Sequence, residues 1–186
     1  MRAFVAIDLS RELKAAMDAL IRQVRAGARG TKWVASPGMH LTLKFLGWVS
    51  ESSAVSIEAE LANVLANRAS FRLRLKGTGT FPLGWKNSAR VLWVGVEEDA
   101  ELMALQKDLE TALEKIGFSG EERPFHPHLT IGRVKTPEGL VRVLDNLAKF
   151  RESEFGEMPV TGLTFFQSVL TPSGADYKPL AEVPFT

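Results

Sequence analysis

The four-residue words His40-Leu41-Thr42-Leu43 and His128-Leu129-Thr130-Ile131 nearly repeat each other. The chain has three histidines, and the third, His126, stands two residues before the second word. On a β-strand alternate residues share a face. His40 and Thr42 therefore point together, as do His128 and Thr130, while the leucines and Ile131 point the other way. Each word is an apolar anchor on one side and an imidazole plus a hydroxyl on the other. Two imidazoles with an ordinary pKa of ~6.5 can hold one neutral and one protonated ring near neutrality. One can then take a proton from a nucleophile while the other gives one to a leaving group. The threonine hydroxyls, roughly 6–7 Å further along the strand, suit an oxyanion or a phosphate oxygen. Four such groups can surround a tetrahedral phosphorus. The residue pattern alone does not say which histidine is acid and which is base.

Other chemistries have less support. A metal site is the nearest rival, but no Asp, Glu or Cys lies within either word, and Glu121 and Glu122 belong to a charged loop. The absence of cysteine excludes disulfides, thiolate ligands and cysteine nucleophiles. No Gly-x-Ser-x-Gly elbow and no P-loop motif is present. A formal net charge of +1 gives no whole-protein footprint for long duplex nucleic acid, although a local basic cleft remains compatible with it. With 186 residues, 45% of them hydrophobic, the chain is long enough for one domain with a real core, or for two closely packed lobes. No apolar run approaches the ~18 residues of a membrane-spanning helix, and the N-terminus has no signal-peptide pattern. A cytoplasmic location is the expectation.

The elements around the words follow from periodicity. Residues 2–8 read as a buried strand, followed by a helix capped at Ser10 with Leu13, Met17, Leu20, Ile21 and Val24 inward. Residues 32–34 read as a short strand, and His40 to Leu46 as an alternating one. Ser52 or Ser53 is expected to cap a helix with Ile57, Leu61, Val64 and Leu65 inward, before a strand at 71–77. The order then restarts with a strand at 90–96 and a helix capped by Asp99, with Leu102, Leu105, Leu109, Leu113 and Ile116 inward. A His-strand at 128–134, a helix begun by Thr136-Pro137-Glu138 and a strand at 160–170 complete it. Each half thus reads strand, helix, His-strand, helix, strand, and the two histidines stand 88 residues apart. Residues 25–32 and 77–90 read as loops.

Several nearby side chains are candidates for holding a substrate. Lys44 keeps the alternation of His40 and Thr42 and is expected on the cleft face, with a solvated strand end as its other reading. Arg133 is out of register with His128 unless Gly132 marks a bulge that re-aims it. A phosphate contact and a surface salt bridge are both open to it. Phe45, Phe165 and Phe166 can stack bases or simply fill core, and Phe45 is the more readily read as core. His126 precedes a proline and reads as a loop or supporting group. Trp85 is a loop aromatic, and Lys32, Lys86 and Arg90 can form a basic rim.

Both words, in their contexts, resemble the two H-x-T-x signatures of the two-histidine phosphoesterase superfamily. More narrowly, the chain resembles the RNA 2′,3′-cyclic phosphodiesterases, formerly called 2′-5′ RNA ligases. The likeness is carried by "RAFVAIDL" at the start, "WVASPGMHLTLKFLG" and "RPFHPHLTIGR" around the words, and "SVLTPSGADYKPL" at 168–180. It implies an α+β, bilobal fold: two mainly antiparallel sheets around a central cleft, helices outside, and a pseudo-two-fold repeat within one domain spanning 1–186. It implies opening of an RNA 2′,3′-cyclic phosphate to a 2′-phosphate, with no metal and no cofactor, and reversible 2′-5′ ligation as the companion reaction. By the resemblance, His128 is the proton acceptor that activates water, and His40 is the proton donor to the departing 3′ oxygen. Thr42 and Thr130 hold the non-bridging oxygens, and Lys44, Phe45, Arg133 and His126 are the substrate-side candidates. The expected partner is an RNA end, met by a monomer away from membranes. A small cyclic-phosphate nucleotide such as ADP-ribose 1″,2″-cyclic phosphate, or a non-catalytic RNA-end binding module, are the alternatives.

Overall fold

Ala3 to Ile7 are all buried and form the middle of β1 (Arg2–Asp8). In the computed structural model, residues 1–25, 27–83, 88–172 and 174–186 are described. Behind β1, Ser10 Oγ accepts the Leu13 amide at 3.3 Å and starts α1 (Arg11–Arg25), whose buried stripe is Leu13, Met17, Leu20, Ile21 and Val24, as the periodicity predicts. β2 (Thr31–Trp33) and β3 (His40–Trp48) come next. α2 (Glu51–Leu65) is capped by Ser50, which accepts the Ser53 amide at 3.0 Å, rather than by Ser52 or Ser53. Asp99 caps α3 (Ala100–Lys115) as expected, accepting the Glu101 and Leu102 amides.

The second half departs further from the sequence reading. β4 (Phe71–Phe81) runs four residues past the strand read at 71–77, into the stretch read as a loop. It passes Gly77 at φ 76°, beside a register irregularity. β5 (Val91–Val96) and β6 (His128–Val134) match expectation. α4 (Leu140–Ala148) begins three residues later than the Thr-Pro-Glu signal, because Gly139 takes a left-handed φ of 73° and serves as its cap. Thr136-Pro137-Glu138 instead forms a turn, with the Lys135 and Thr136 amides both donating to Gly30 O. β7 (Glu154–Val160), β8 (Gly162–Thr171) and β9 (Gly174–Pro184) replace the single closing strand that the sequence suggested.

The strands make two antiparallel sheets, in the orders β3-β1-β8-β9 and β2-β6-β5-β4-β7. The halves exchange their closing strands: β4 of the first half pairs with β5 of the second, and β8 of the second pairs with β1 of the first. β3-β1-β8-β9 thereby matches β6-β5-β4-β7 strand for strand, with the two His-strands in equivalent positions. One apolar core joins them, with Leu41, Leu43, Leu129 and Ile131 inside it together with the stripes of all four helices. β3 and β6 also touch directly. Among the described residues, no helix is long and apolar enough to cross a membrane.

Candidate active site

His40 opens β3 opposite Asp8 of β1. Its ring stacks on Phe4 at 4.6 Å, meets Tyr177 edge-on at 4.8 Å and lies 5.7 Å from Phe166. Phe4, Ala6 and Phe166 form a small second apolar cluster, with Tyr177 against it, on the face opposite the main core. Tyr177 reaches this position over Gly38, where a Cβ would stand 3.2 Å from its ring. Burial in this aromatic box pushes His40 down to about 4, against the opposing pull of Asp8 and of a hydrogen bond to the Gly38 backbone. Lys14 Nζ, paired with the Asp8 carboxylate at 2.7 Å, offsets part of that pull and adds to the lowering.

His128 stands at the equivalent place in the other sheet, opposite Gly95 of β5. Its Nδ1 lies 2.7 Å from the His126 carbonyl oxygen. That oxygen only accepts, so Nδ1 carries the proton and the neutral ring presents Nε2 as a free base. Phe81 meets the ring edge-on at 5.0 Å. Burial lowers the pKa of His128 as well, opposed by the His126 bond and reinforced by the charge of Arg133. In both words the ring is tied to the backbone two residues upstream, Gly38 for His40 and His126 for His128. Thr42 and Thr130 are half-buried on the same faces as their histidines, and among the described residues neither hydroxyl has a hydrogen-bond partner.

Both folded histidines resist protonation that the unfolded chain accepts at ~6.5. As pH falls from about 6.5 towards 4, the unfolded state gains protons that the native state refuses, so stability drops across that window. His40→Gln is expected to flatten the lower part of this slope, leaving the share due to His128. Melting temperature against pH, wild type beside variant, measures it. Parallel curves would remove His40 from the acid response.

After each word the strand bulges, and the bulge sets which way the next residues face. In β3 the register skips Leu43, so Leu43 and Lys44 both turn inward and Phe45 comes up beside Thr42. In β6 it skips Ile131, so Ile131 and Gly132 turn inward and Arg133 comes up beside Thr130. Lys44 is therefore not on the cleft face. It is 2% exposed and pairs with Glu110 Oε2 of α3 at 2.6 Å, with the Ser119 carbonyl as a second acceptor. Phe45 is not core: it is 60% exposed, with its ring 6.0 Å from Phe4. Arg133 is exposed on the His128 side, with Lys32 of β2 across from it.

The remaining candidates divide. The His126 side chain is exposed on its loop, and its clear contribution is the backbone carbonyl that orients His128. Phe165 is fully buried core, whereas Phe166 lies under His40. Arg90 reaches back to the Ser88 and Ala89 carbonyls. Trp85 and Lys86 lie outside the described residues. Sequence reasoning missed Phe4, Tyr177, Phe81 and Trp93. Trp93, opposite Thr130, lies flat on Gly79, where any Cβ would strike its ring. A glycine within an aromatic-flanked stretch was the one signal pointing to it. The indole N–H groups of Trp33 and Trp93 are buried without an acceptor among the described residues. Also among the described residues, no cluster of three His, Asp or Glu side chains suited to a metal is found. The depression of about 590 Å³ beside the start of α4, lined by Arg29 and Arg142, includes none of the four motif residues.

Two antiparallel sheets that each present a His-x-Thr word on the face away from the core are the arrangement of a two-histidine phosphoesterase. The chain belongs to the 2′-5′ RNA ligase superfamily, whose model matches residues 11–170. It is 37% identical to the RNA 2′,3′-cyclic phosphodiesterase of Archaeoglobus fulgidus, over 97% of this chain and 98% of that one. Among solved structures, TT0787 of Thermus thermophilus superposes with a TM-score of 0.85 at 31% identity, covering 100% of this chain and 98% of the other. E. coli LigT complexed with 3′-AMP gives a TM-score of 0.74 at 26% identity, covering 100% and 98%.

Proposed function

We propose that this protein hydrolyses RNA 2′,3′-cyclic phosphate ends to 2′-phosphate ends by paired histidine acid–base catalysis. The observation that carries the reading is the pairing of two backbone-anchored imidazoles on touching strands, one with its Nε2 free. The cyclic phosphate sits between the words, with the Thr42 and Thr130 hydroxyls donating to its non-bridging oxygens. His128 Nε2 takes a proton from water, and the water oxygen attacks phosphorus. The bond from phosphorus to O3′ breaks, and O3′ receives its proton from His40. The products are a 2′-phosphate and a free 3′ hydroxyl. A proton then returns to His40 and one leaves His128 through solvent. With a 5′ hydroxyl in place of water, the same groups in the same roles join a 2′-5′ linkage; run backwards, with the roles exchanged, they reopen that linkage to a cyclic phosphate and a 5′ hydroxyl.

The bulges support this assignment of acid and base. At the same place in the two words one sheet offers Phe45, over an aromatic floor, and the other offers Arg133 next to Lys32. A nucleoside fits the aromatic side and places O3′ by His40. The anionic phosphate and the incoming water fit the cationic side by His128. Stacking on Phe45 is tolerant of base identity, which suits RNA ends of any sequence. Both histidines come from one chain, so a monomer suffices, with the two sheets acting as lobes of a single domain. The E. coli LigT relative bound to 3′-AMP shares the fold and holds a nucleotide carrying a phosphate next to the ribose 2′ position.

Product analysis tests the reading. An oligonucleotide with a 2′,3′-cyclic phosphate, incubated with the protein and excess chelator, is expected to yield only the 2′-phosphate. A 3′-phosphate product, or turnover that stops with the chelator, would overturn it.

A further inference from the structure

Alternation places every second residue of a strand on one face, yet β3 keeps His40, Thr42, Phe45 and Trp48 on the same one. Two bulges do this. The register onto β1 skips Leu43, and it skips again at Leu46, so that Phe45 faces Phe4 and Trp48 faces Arg2. β1 itself is regular through this stretch against β8, so Arg2, Phe4 and Ala6 share a face. Gly47, at φ 69°, supplies the left-handed residue at the second bulge. The result is an aromatic path leading out from the acid histidine. Phe4 lies 4.6 Å from His40 and 6.0 Å from Phe45, and Trp48 stands beyond them at 80% exposure. From Phe45 to Trp48 the path covers about two strand steps, ~7 Å. An extended single strand of RNA covers a similar distance per nucleotide. Arg2, across from Trp48, has no carboxylate partner among the described residues.

We propose that β3 carries a second nucleotide subsite, in which Trp48 stacks the base on the 5′ side of the cyclic-phosphate nucleotide and Arg2 holds the phosphate that joins the two. The inference rests on the phosphodiesterase reading and extends it. Phe45 takes the terminal base, which a mononucleotide also has, while Trp48 and Arg2 meet only a substrate with at least two nucleotides. The subsite therefore separates RNA ends from small cyclic nucleotides. Its occupant follows from continuity with the catalytic face and from charge, since an exposed arginine beside an exposed indole matches a phosphate beside a base.

Kinetics on a mononucleoside 2′,3′-cyclic phosphate and on a dinucleotide with the same cyclic end test this. For the wild type, kcat/KM is expected to rise about tenfold from mono- to dinucleotide, as one stacked base allows. Trp48→Ala should abolish the rise and leave the mononucleotide rate unchanged, and Trp48→Phe should restore most of it. Arg2→Gln should weaken the dinucleotide alone and lower the salt slope of its binding by about one. No rise in the wild type, or equal losses on both substrates in Trp48→Ala, overturns the subsite while the mononucleotide rate keeps the phosphodiesterase reading intact. If the rise survives in Trp48→Ala and the variant instead loses a wild-type dimer in sedimentation, the face belongs to a second copy of the chain and the subsite is refuted. Absence of turnover on either substrate refutes the parent reading itself.

Discussion

His128→Ala or His40→Ala is expected to lower kcat on a 2′,3′-cyclic-ended oligonucleotide by ~10²–10⁴-fold, the range for removal of a general base or acid. Both side chains are half-buried at strand starts and neither anchors the main core, so the melting temperature near neutrality should barely move. The double variant should be little worse than either single one, because in the proposed mechanism both histidines act on the same displacement. The pH profile carries a further signature. In the free protein burial holds His40 at about 4, so the imidazolium that the proposed mechanism calls on as donor is scarce near neutrality. A bound phosphodiester anion favours that imidazolium and raises its pKa. kcat/KM reports the free enzyme and kcat the complex. The fall in rate on the alkaline side is therefore expected at lower pH in kcat/KM than in kcat. Coincident limbs would show that the substrate does not load the proton, and near-normal rates in both alanine variants would remove the mechanism altogether.

Lys44→Met is expected to cost ~3–5 kcal/mol of stability, measured as a shift in the urea midpoint at unchanged slope. The Lys44 side chain is 1% exposed and that of Glu110 18%, so removing the cation strands a carboxylate that is largely out of water. Glu110 keeps the Gln106 side chain and the Glu121 amide as donors, which soften the loss without replacing a charge. Lys44→Met combined with Glu110→Gln removes both charges and should recover part of the deficit. The pair also pins the first bulge, so Lys44→Met should raise KM through Phe45 more than it lowers kcat. A cost below about 1 kcal/mol would show that the ion pair does not anchor β3.

What could be seen in the sequence was what depends on short-range pattern. The His-x-Thr words, the apolar face behind each, the inward stripe of α1 and the Asp99 cap all follow from spacing within a few residues. The bulges do not, because an extra residue in one strand is defined by its neighbour. Leu43 and Ile131 look like ordinary alternating positions until β1 and β5 are laid beside them. Lys44 was misplaced for that reason, and its partner Glu110 is 66 residues away. Arg133 shows the converse, since Gly132 was a visible hint of its bulge. β7 and β9 were missed because they lie at sheet edges, where burial on one side only leaves a weak apolar signal. The aromatic box escaped notice because Phe4 sits in a continuous apolar run that gives no sign of which residues face outward, and Tyr177 arrives from the far end of the chain.

The exchange of closing strands has a bearing on how the molecule comes apart. β1 is flanked by β3 from its own half and β8 from the other, and β5 likewise by β6 and β4. Neither sheet can open without drawing on chain from both halves. The two histidines, 88 residues apart in the chain, are therefore expected to belong to a single cooperative unit, with no partial unfolding that frees one half while preserving the other. Within any population at equilibrium, each molecule is then expected to hold both histidines in place or neither. Loss of activity on heating or in denaturant should then track the global transition, without a half-competent form in between.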